Sequence, residues 1–301
     1  MSEMNKVAAL VVTYNRLESL KVTINALLSQ SLKLYKILVV NNGSTDGTQE
    51  WLNSQSELIV INQANLGGAG GFATGLKKVL ELDVEWVYCM DDDGVPHFDA
   101  LNKLVNIDLP VPSLRNSTVI DIIDRETIVF KIKNYKKIFE ITEPVIKGWA
   151  NPFNGTLIHL DIIKTIGVPV KDLFIWGDEN EYFNRIKYKG KFPVFNMRDS
   201  LHYHPRNAAM FYQQDWDVRS NWKAYYFIRN KFASYKSKYS TEFLAFTHYI
   251  SFLSALNLIV LFKQKHDKVN KLKLIYYAAK DAFQEDFSKD VKQVVNLIKS
   301  L

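Results

Sequence analysis

The chain has 301 residues, of which 47% are hydrophobic, and it carries a net charge of +6 at pH 7. Its length allows one large or two small domains, and its apolar content suffices for a full core. The single cysteine, Cys89, excludes an internal disulfide framework. Residues 1–6 are polar and lack a signal-peptide pattern, so we expect a cytoplasmic protein.

The basic excess is concentrated in the C-terminal third of the chain. From Trp216 onward there are 15 Lys and Arg residues against 7 Asp and Glu residues. Such an excess favours contact with an anionic surface, and we expect a membrane surface. We find no nucleic-acid recognition motif and therefore expect no nucleic-acid partner.

The first hundred residues alternate strand and helix patterns. Alternating β and α segments predict a parallel sheet with right-handed crossovers. The strands are almost continuously apolar, as expected when helices cover both faces of a sheet. The predicted strands are residues 6–13, 35–40, 58–61 and 84–90, and the predicted helices are residues 17–28, 46–53 and 71–82.

The next hundred residues mix short strands with helices. Short strands and hairpins are predicted between residues 106 and 146, and helical patterns return at residues 159–166 and 179–188. Residues 192–195 form the last predicted strand. We therefore predict one α/β domain over residues 1–215.

Residues 216–301 predict a helical C-terminal extension. Residues 243–262 form an apolar run long enough to span a bilayer. A weakly polar face along this run favours a packed or interfacial amphipathic helix over a transmembrane one. That face consists of Thr247, Ser251, Ser254 and Asn257.

The run of three carboxylates, Asp91-Asp92-Asp93, directly follows a predicted buried strand. Like charges this close repel one another, and partial burial increases the repulsion. A divalent cation such as Mg²⁺ or Mn²⁺ relieves it, takes oxygen ligands and often bridges to substrate phosphates. We favour such a metal–phosphate site over a solvated acidic turn.

A glycine-rich segment, Asn65-Leu66-Gly67-Gly68-Ala69-Gly70-Gly71, lies between the third strand and the following helix. Its Gly68-x-Gly70-x-x-Ala73 spacing fits a dinucleotide fingerprint. That fingerprint normally lies in the first βα unit and is followed by one acidic residue. Here it lies in the third βα unit and is followed by three acidic residues. We favour glycines that let the backbone approach a nucleotide diphosphate, with a flexible loop as the alternative.

Two later segments carry further candidate groups. In Trp176-Gly177-Asp178-Glu179-Asn180-Glu181, acids stand at a predicted helix start, where the helix dipole alone explains one or two of them. A tryptophan can stack on a sugar face and a carboxylate can accept a hydroxyl proton. His202 and His204 fall on one face of an extended segment, so their spacing does not decide which could bind a metal.

Together these motifs resemble the family 2 glycosyltransferases of GT-A fold. Val11-Val12-Thr13-Tyr14-Asn15-Arg16 and Asn41-Asn42-Gly43-Ser44 are similar to the family's two nucleotide loops, although the family usually has Asp where Asn41 stands. The aspartate triplet is similar to its Asp-x-Asp metal motif. The resemblance implies a nucleotide-diphospho-sugar transferase fold, a sheet flanked by helices.

A narrower resemblance is to bacterial galactofuranosyltransferases, over about residues 6–231. It rests on the glycine-rich segment, the full aspartate triplet, Trp176-Gly177-Asp178-Glu179 and Ala224-Tyr225-Tyr226-Phe227-Ile228-Arg229-Asn230. It implies an inverting hexosyltransferase that moves galactofuranose from a UDP-sugar to a hydroxyl of a growing cell-surface glycan or lipid-linked glycan, at the inner face of the cell membrane.

The resemblance also implies roles for individual residues. The base is Glu179 or Asp178, and Glu181, two residues on, selects Glu179. The implied acceptor contacts are Trp149 and Trp176, and the implied ligands of Mn²⁺ or Mg²⁺ are Asp91, Asp93 and His204. The implied donor contacts are Thr13, Tyr14, Asn15, Arg16, Asn41, Asn65, Gly67, Gly68, Gly70, Gly71, Asp91 and Asp92.

Other functions remain open at this stage. One is the same chemistry with rhamnose or a pyranose. Two others are a sugar-nucleotidyltransferase and a non-catalytic sugar-nucleotide-binding module. The first would need a basic loop near the N-terminus, and Asn15-Arg16-Leu17 offers only one arginine. Whether the chain forms a homo-oligomer is open.

Overall fold

A computed structural model describes residues 6–206 and 211–300. Contacts divide the chain into two units. The sheet unit contains residues 6–171 and 190–206, and the helical unit contains residues 172–189 and 211–300. The domain boundary between residues 215 and 216 stays a prediction; the contacts of residues 172–189 lie within the helical unit.

Within the described residues, eleven strands form the sheet. Their order is β3-β2-β1-β4-β10-β6-β11-β5, with β7 and β8 extending from β6, and β9 pairing with β11. The bounds are β1 Val7–Thr13, β2 Lys36–Asn41, β3 Leu58–Asn62, β4 Trp86–Asp91, β5 Val95–Pro96, β6 Leu114–Asp121, β7 Thr127–Ile132, β8 Tyr135–Lys137, β9 Val145–Lys147, β10 Asn154–His159 and β11 Val194–His204.

The helices divide between the two units. In the sheet unit they are α1 Leu17–Leu28, α2 Thr48–Asn53, α3 Gly67–Val79, α4 Ala100–Val105 and α5 Leu160–Ile166. In the helical unit they are α6 Asp178–Asn184, α7 Lys223–Lys238, α8 Glu242–Phe262, α9 Lys268–Phe283 and α10 Val291–Lys299.

The predicted α/β class with a helical C-terminal region is confirmed. Strands β1 to β4 pair in parallel, as the β–α alternation predicts. Beyond β4 the sheet is mixed, because β10 runs antiparallel to both β4 and β6. All seven residues of β1 are buried, which fits a central strand covered on both faces.

Two predicted element boundaries were wrong. Helix α3 begins at Gly67 rather than at residue 71, so the glycines lie within its first turns. Strand β11 extends from Val194 to His204, far beyond the predicted residues 192–195. Strand β11 lacks a continuous apolar pattern because some of its buried residues are polar and pair with β6. Thr118 donates to Asn196 at 2.7 Å, and the hydroxyls of Ser117 and Ser200 lie 2.8 Å apart.

Glycines allow α3 to pack closely on β1. A Cβ atom on Gly71 would overlap the side chain of Val12, and one on Gly75 would overlap Leu10. Tertiary packing thus outweighs the low helix propensity of glycine. The close approach gives Gly71 a packing role, and its contact with a donor stays a prediction.

Helix α7 lies at the centre of the helical unit and contacts α6, α8 and α9. Tyr225, Tyr226 and Tyr249 are fully buried in its core. One face of α8 is buried through Ala245, Tyr249, Leu253, Leu256 and Val260. The opposite face, which we call the α8 outer face, carries exposed apolar side chains, namely Phe243, Leu244, Phe246, Ile250, Leu258, Leu261 and Phe262.

By length and composition alone, α8 could also cross a membrane. It has 21 residues, and 28% of its most apolar window is buried within the protein. Length and apolar content do not distinguish a spanning helix from a packed one.

The contact between α3 and β1 leads to a stability prediction. We expect Gly75→Ala to lower the free energy of unfolding by about 1–3 kcal/mol, because it overpacks the contact with Leu10. Leu10→Val alone should lower the free energy of unfolding by about 1 kcal/mol.

The double variant tests the cause. It should be more stable than the sum of the two single effects predicts, because the shorter side chain makes room for the new methyl group. Urea-unfolding midpoints of the four proteins measure this coupling. Strict additivity would contradict the packing explanation.

Candidate functional site

The carboxyl ends of β1, β2 and β4 come together at one edge of the sheet. Their register places Thr13 beside Asn41, and Val12 beside Asp91. The loops that follow β1 and β2 are joined: the Asn15 amide N–H donates to Ser44 Oγ at 2.9 Å, and the Thr45 N–H donates to Asn15 Oδ1 at 2.7 Å. The two predicted nucleotide loops therefore form one surface.

Asp92 points into the protein and holds the loop after β1. Its carboxylate accepts hydrogen bonds from Thr13 Oγ1 at 2.8 Å and from the Tyr14 N–H at 3.2 Å. Arg16 contributes a further contact at 3.2 Å. Asp92 is buried, and this burial raises its pKa despite these contacts. Asp92 thus stabilises the loop of residues 13–16. Its contact with a nucleotide-sugar donor stays a prediction.

Asp91, Asp93 and His204 form a cluster whose ligand atoms all lie within 4.8 Å of one another. Strand pairing brings them together. The short strand β5, just after the aspartate triplet, pairs with the end of β11, with Val95 opposite Tyr203. As a result, His204 Nε2 lies 3.2 Å from Asp93 Oδ1.

The donor set fits a divalent cation. His204 Nδ1 donates to the Pro205 carbonyl oxygen at 2.6 Å, so Nε2 is the ring nitrogen that faces Asp93 and could bind a cation. A carbonyl that orients a histidine in this way is the usual support of a metal ligand. Two carboxylates and one imidazole therefore suit Mn²⁺ or Mg²⁺.

Positive charge already reaches these carboxylates from Arg16, which also contacts Asp93 directly. Burial acts to raise the pKa of Asp93, but His204 and Arg16 outweigh it and hold the pKa below its usual value. Asp93 therefore stays ionised and able to bind a cation. The distribution of contacts separates the triplet: Asp92 points inward, while Asp91 and Asp93 form the cluster.

His202 is a core residue. It is fully buried between Gly94 and Gly155, where a Cβ atom on either glycine would overlap the imidazole ring. Within residues 6–206 and 211–300, neither ring nitrogen has a hydrogen-bond partner, and burial lowers the pKa of His202 to about 3. Spacing could not choose between the two histidines; the structure groups His204 with the carboxylates.

Several residues that are predicted to contact the nucleotide-sugar donor make hydrogen bonds within the protein or are buried. Asn41 is fully buried, its amide donates to Asn62 Oδ1 at 2.9 Å, and its oxygen accepts from the Ser44 N–H. Asn65 is exposed and accepts from the Gly67 N–H at 2.9 Å, which starts α3. Gly70 and Gly71 are buried in the helix. Contact with a nucleotide-sugar donor stays a prediction for Asn41, Asn65, Gly67, Gly68, Gly70 and Gly71.

The predicted acceptor residue Trp149 is half-buried. It packs against a small apolar cluster of Ile132, Ile141 and Ile146. The glycine before it, Gly148, has a left-handed φ of 79°. The structure thus gives Trp149 a packing role, and its contact with an acceptor stays a prediction.

In the helical unit, helix α6 begins at the predicted acidic segment. Asp178 is buried, Glu179 is half-buried, and Glu181 is buried with Arg185 bound to both of its oxygens at 3.0 Å. Trp176 is half-buried, and the Lys223 ammonium lies 5.7 Å from its ring. Of the three acids, Glu179 is the one whose side chain remains partly accessible.

Thr23 is a functional candidate that the sequence reasoning missed. Its hydroxyl lies 2.9 Å from the backbone oxygens of both Asp92 and Gly94, so α1 fixes the backbone of the triplet. The available signal was a polar residue on the apolar face of α1, next to Leu20, Ile24 and Leu27.

The metal cluster leads to a second prediction. We expect Asp93→Ala and His204→Ala each to weaken Mn²⁺-dependent binding of UDP by at least about 10-fold, because each removes one ligand of a three-ligand set. Isothermal titration calorimetry with and without Mn²⁺ measures this. Asp83→Ala is the control, since Asp83 is an exposed partner of Lys6. Metal-dependent binding that survives both cluster substitutions would refute the site.

Known proteins are similar to this chain in sequence. Residues 8–108 match Glycosyl transferase family 2. Galactofuranosyltransferase GlfT1 of Mycolicibacterium smegmatis is 29% identical over 226 residues, which cover 70% of this chain and 74% of that protein. GlfT1 of Mycobacterium tuberculosis is 29% identical over 219 residues, covering 68% and 72% respectively.

Solved structures support the fold. Residues 1–349 of Staphylococcus aureus TarS superpose with a TM-score of 0.60 at 16% identity, covering 98% of this chain and 90% of that one. The mannosyltransferase PcManGT of Pyrobaculum calidifontis, in complex with GDP-Man and Mn²⁺, gives a TM-score of 0.53 at 16% identity, covering 99% and 80%. At these identities the likeness shows the fold alone, and it confirms the GT-A-type architecture.

Proposed function

We propose that the chain is an inverting, metal-dependent galactofuranosyltransferase; residues 8–108 match Glycosyl transferase family 2, and the fold is of GT-A type. In this proposal it moves galactofuranose from UDP-galactofuranose to a hydroxyl of a growing cell-surface glycan or lipid-linked glycan. The observation that carries the proposal is the cluster of Asp91, Asp93 and His204 at the edge of the sheet where β4 ends.

The cluster would hold the cation. A divalent ion bound there supplies positive charge that stabilises the leaving diphosphate. Asp91 and Asp93 provide hard oxygen ligands, and His204 is oriented by the Pro205 carbonyl. Arg16 adds a guanidinium beside the same carboxylates, and Asp92 and Thr13 keep its loop in place.

The proposed chemistry is a single in-line displacement. The acceptor hydroxyl loses its proton to a carboxylate, its oxygen bonds to the anomeric carbon, and the bond from that carbon to the diphosphate oxygen breaks. Attack from the side opposite the leaving group inverts the anomeric centre. Release of UDP and a glycoside with one new bond balances the reaction.

Glu179 is the proposed base. A base must be reachable by the acceptor hydroxyl, and Glu179 is half-buried whereas Asp178 is 3% exposed. Glu181 is held by Arg185 and Ser237, so its carboxylate is already engaged. Asp178 remains the alternative, because it directly precedes Glu179 at the start of α6.

The base assignment leads to a prediction. Glu179→Gln should lower acceptor-dependent kcat by about 10²- to 10⁴-fold while UDP affinity persists, because only proton transfer in the transition state is lost. Asp178→Asn should have a smaller effect on kcat. Turnover of both variants, measured beside their nucleotide affinity, tests this.

Glu181→Gln is the matched control for loss of a charge on the same helix. It should lower thermal stability without a selective loss of kcat, since Glu181 binds Arg185. If Asp178→Asn is inactive and Glu179→Gln is near normal, Asp178 is the base.

The donor sugar is supported by the curated relatives. Both GlfT1 proteins are named galactofuranosyltransferases, and their similarity covers about two thirds of this chain. The structural neighbours include TarS bound to UDP and PcManGT bound to GDP-Man, so the fold alone admits several nucleotide sugars.

A donor screen tests the sugar. We expect UDP-galactofuranose to be turned over faster than UDP-galactopyranose in the presence of Mn²⁺ or Mg²⁺, with release of free UDP as the measurement. The two donors share the nucleotide, so only the sugar contacts differ. A preference for the pyranose, or for a deoxythymidine diphosphate sugar, would overturn the galactofuranose assignment.

We also propose that the protein works at the inner face of the cell membrane, where a lipid-linked acceptor would lie. The α8 outer face supports this, with Phe243 and Phe262 exposed by 73% and 80%. Three lysines, Lys263, Lys265 and Lys268, follow directly and would meet anionic headgroups. Exposed apolar side chains beside cations are the composition of an interfacial helix.

Vesicle binding tests this location. Phosphatidylglycerol vesicles should float the protein at low salt, and added salt should weaken binding by screening. A Phe243→Ser/Phe262→Ser variant should bind more weakly, whereas Phe139→Ser, which alters a 65% exposed side chain of the sheet unit, should not. Absence of flotation at low salt would exclude the proposed surface.

A further inference from the structure

One asparagine of α7 shares the two N–H groups of its amide among three backbone carbonyls of the segment before α6. Asn230 Nδ2 lies 2.8 Å from the Leu173 oxygen, 3.0 Å from the Ile175 oxygen and 2.9 Å from the Trp176 oxygen. Buried carbonyls of an irregular segment need partners, because none is supplied by a helix or strand. Asn230, itself fully buried, is that partner here.

Arg229 fixes the orientation of this asparagine. Its Nε–H donates to Asn230 Oδ1 at 3.0 Å, so the Asn230 amide nitrogen must face the carbonyls. The same guanidinium donates to the Asp172 and Leu173 oxygens at 3.2 and 3.1 Å. It is fully buried against the rings of Tyr226 and Phe287.

The segment held in this way has an unusual backbone. Phe174, Trp176 and Gly177 all have left-handed φ angles, of 66°, 57° and 106°. Non-glycine residues adopt this region only when surrounding contacts hold them there. At Gly177 there is also little space, since a Cβ atom would lie 3.0 Å from Asn230 Cβ.

Helix α6 begins with the next residue, Asp178, so the segment sets the direction of the first helical turn. We propose that Asn230, oriented by Arg229, is a positioning residue that fixes the start of α6 and thereby the carboxylate of Glu179. This inference rests on the proposed function in one respect, the assignment of the base to that turn. Displacement of a catalytic group by about 1 Å can cost about 10²-fold in rate.

Three variants test the proposal. Asn230→Asp keeps the size and the oxygen that accepts from Arg229, but it removes the donor to the carbonyls. Asn230→Ala removes both. Asn184→Ala is the control, because Asn184 donates to the Ser234 oxygen and hydroxyl of α7 at 3.0 Å and has no contact with the carbonyls of the segment.

We expect both Asn230 variants to lower kcat about 100-fold, with UDP affinity changed by less than about threefold. Amide exchange in a peptide covering residues 172–182 should be about tenfold faster than in the wild-type protein. Asn184→Ala should retain kcat within about threefold of wild type and keep slow exchange at residues 172–177. Circular dichroism would establish that each variant is folded.

The outcomes separate the two proposals. If the wild-type protein is active and Asn230→Asp keeps its kcat, side-chain volume suffices and the positioning role is refuted. If kcat falls equally in Asn184→Ala, the effect is general destabilisation and the role is again refuted. If the wild-type protein transfers no sugar from any donor, the proposed function fails, and the exchange rates alone decide whether Asn230 holds the segment.

Discussion

Mutual repulsion among three adjacent carboxylates is the constraint on which the sheet unit's candidate site depends. The protein resolves it by sending the side chains to different partners. Asp92 turns inward to Thr13, Tyr14 and Arg16, and it organises the loop after β1. Asp91 and Asp93 remain together beside His204, where a cation would complete the charge balance. The same separation thus shapes the first loop and leaves two carboxylates as the proposed metal ligands.

Both units use buried polar side chains to shape irregular backbone near the candidate residues. In the sheet unit, the Thr23 hydroxyl holds the backbone of the triplet from α1. In the helical unit, Asn230 holds the carbonyls before α6 from α7. Such contacts are costly to leave half-satisfied, because a buried carbonyl without a partner loses its solvation. They therefore specify one backbone conformation.

Glycine has different functions at neighbouring positions of this chain. Gly71 and Gly75 allow α3 to approach β1, and Gly94 and Gly155 make room for the buried ring of His202. Only Gly155 of these four also has a left-handed backbone. The glycine-rich segment resembles a phosphate loop in sequence, yet its last glycine, Gly71, has a reason in helix-on-strand packing. This packing explanation does not depend on the proposed donor chemistry.

The sequence by itself determined the order of the first strands and helices, the α/β class, the acidic strand end and the glycosyltransferase resemblance. These are local signals: periodicity, turn residues and short motifs lie within a few residues of one another. Tertiary structure alone decided that Asp92 points inward and that Asn230 holds the segment before α6. It also places His204 in the cluster, as the resemblance implied and as the spacing of the two histidines left open. Each depends on strand or helix pairing between residues far apart in the chain, and no local pattern specifies which distant partner a side chain meets.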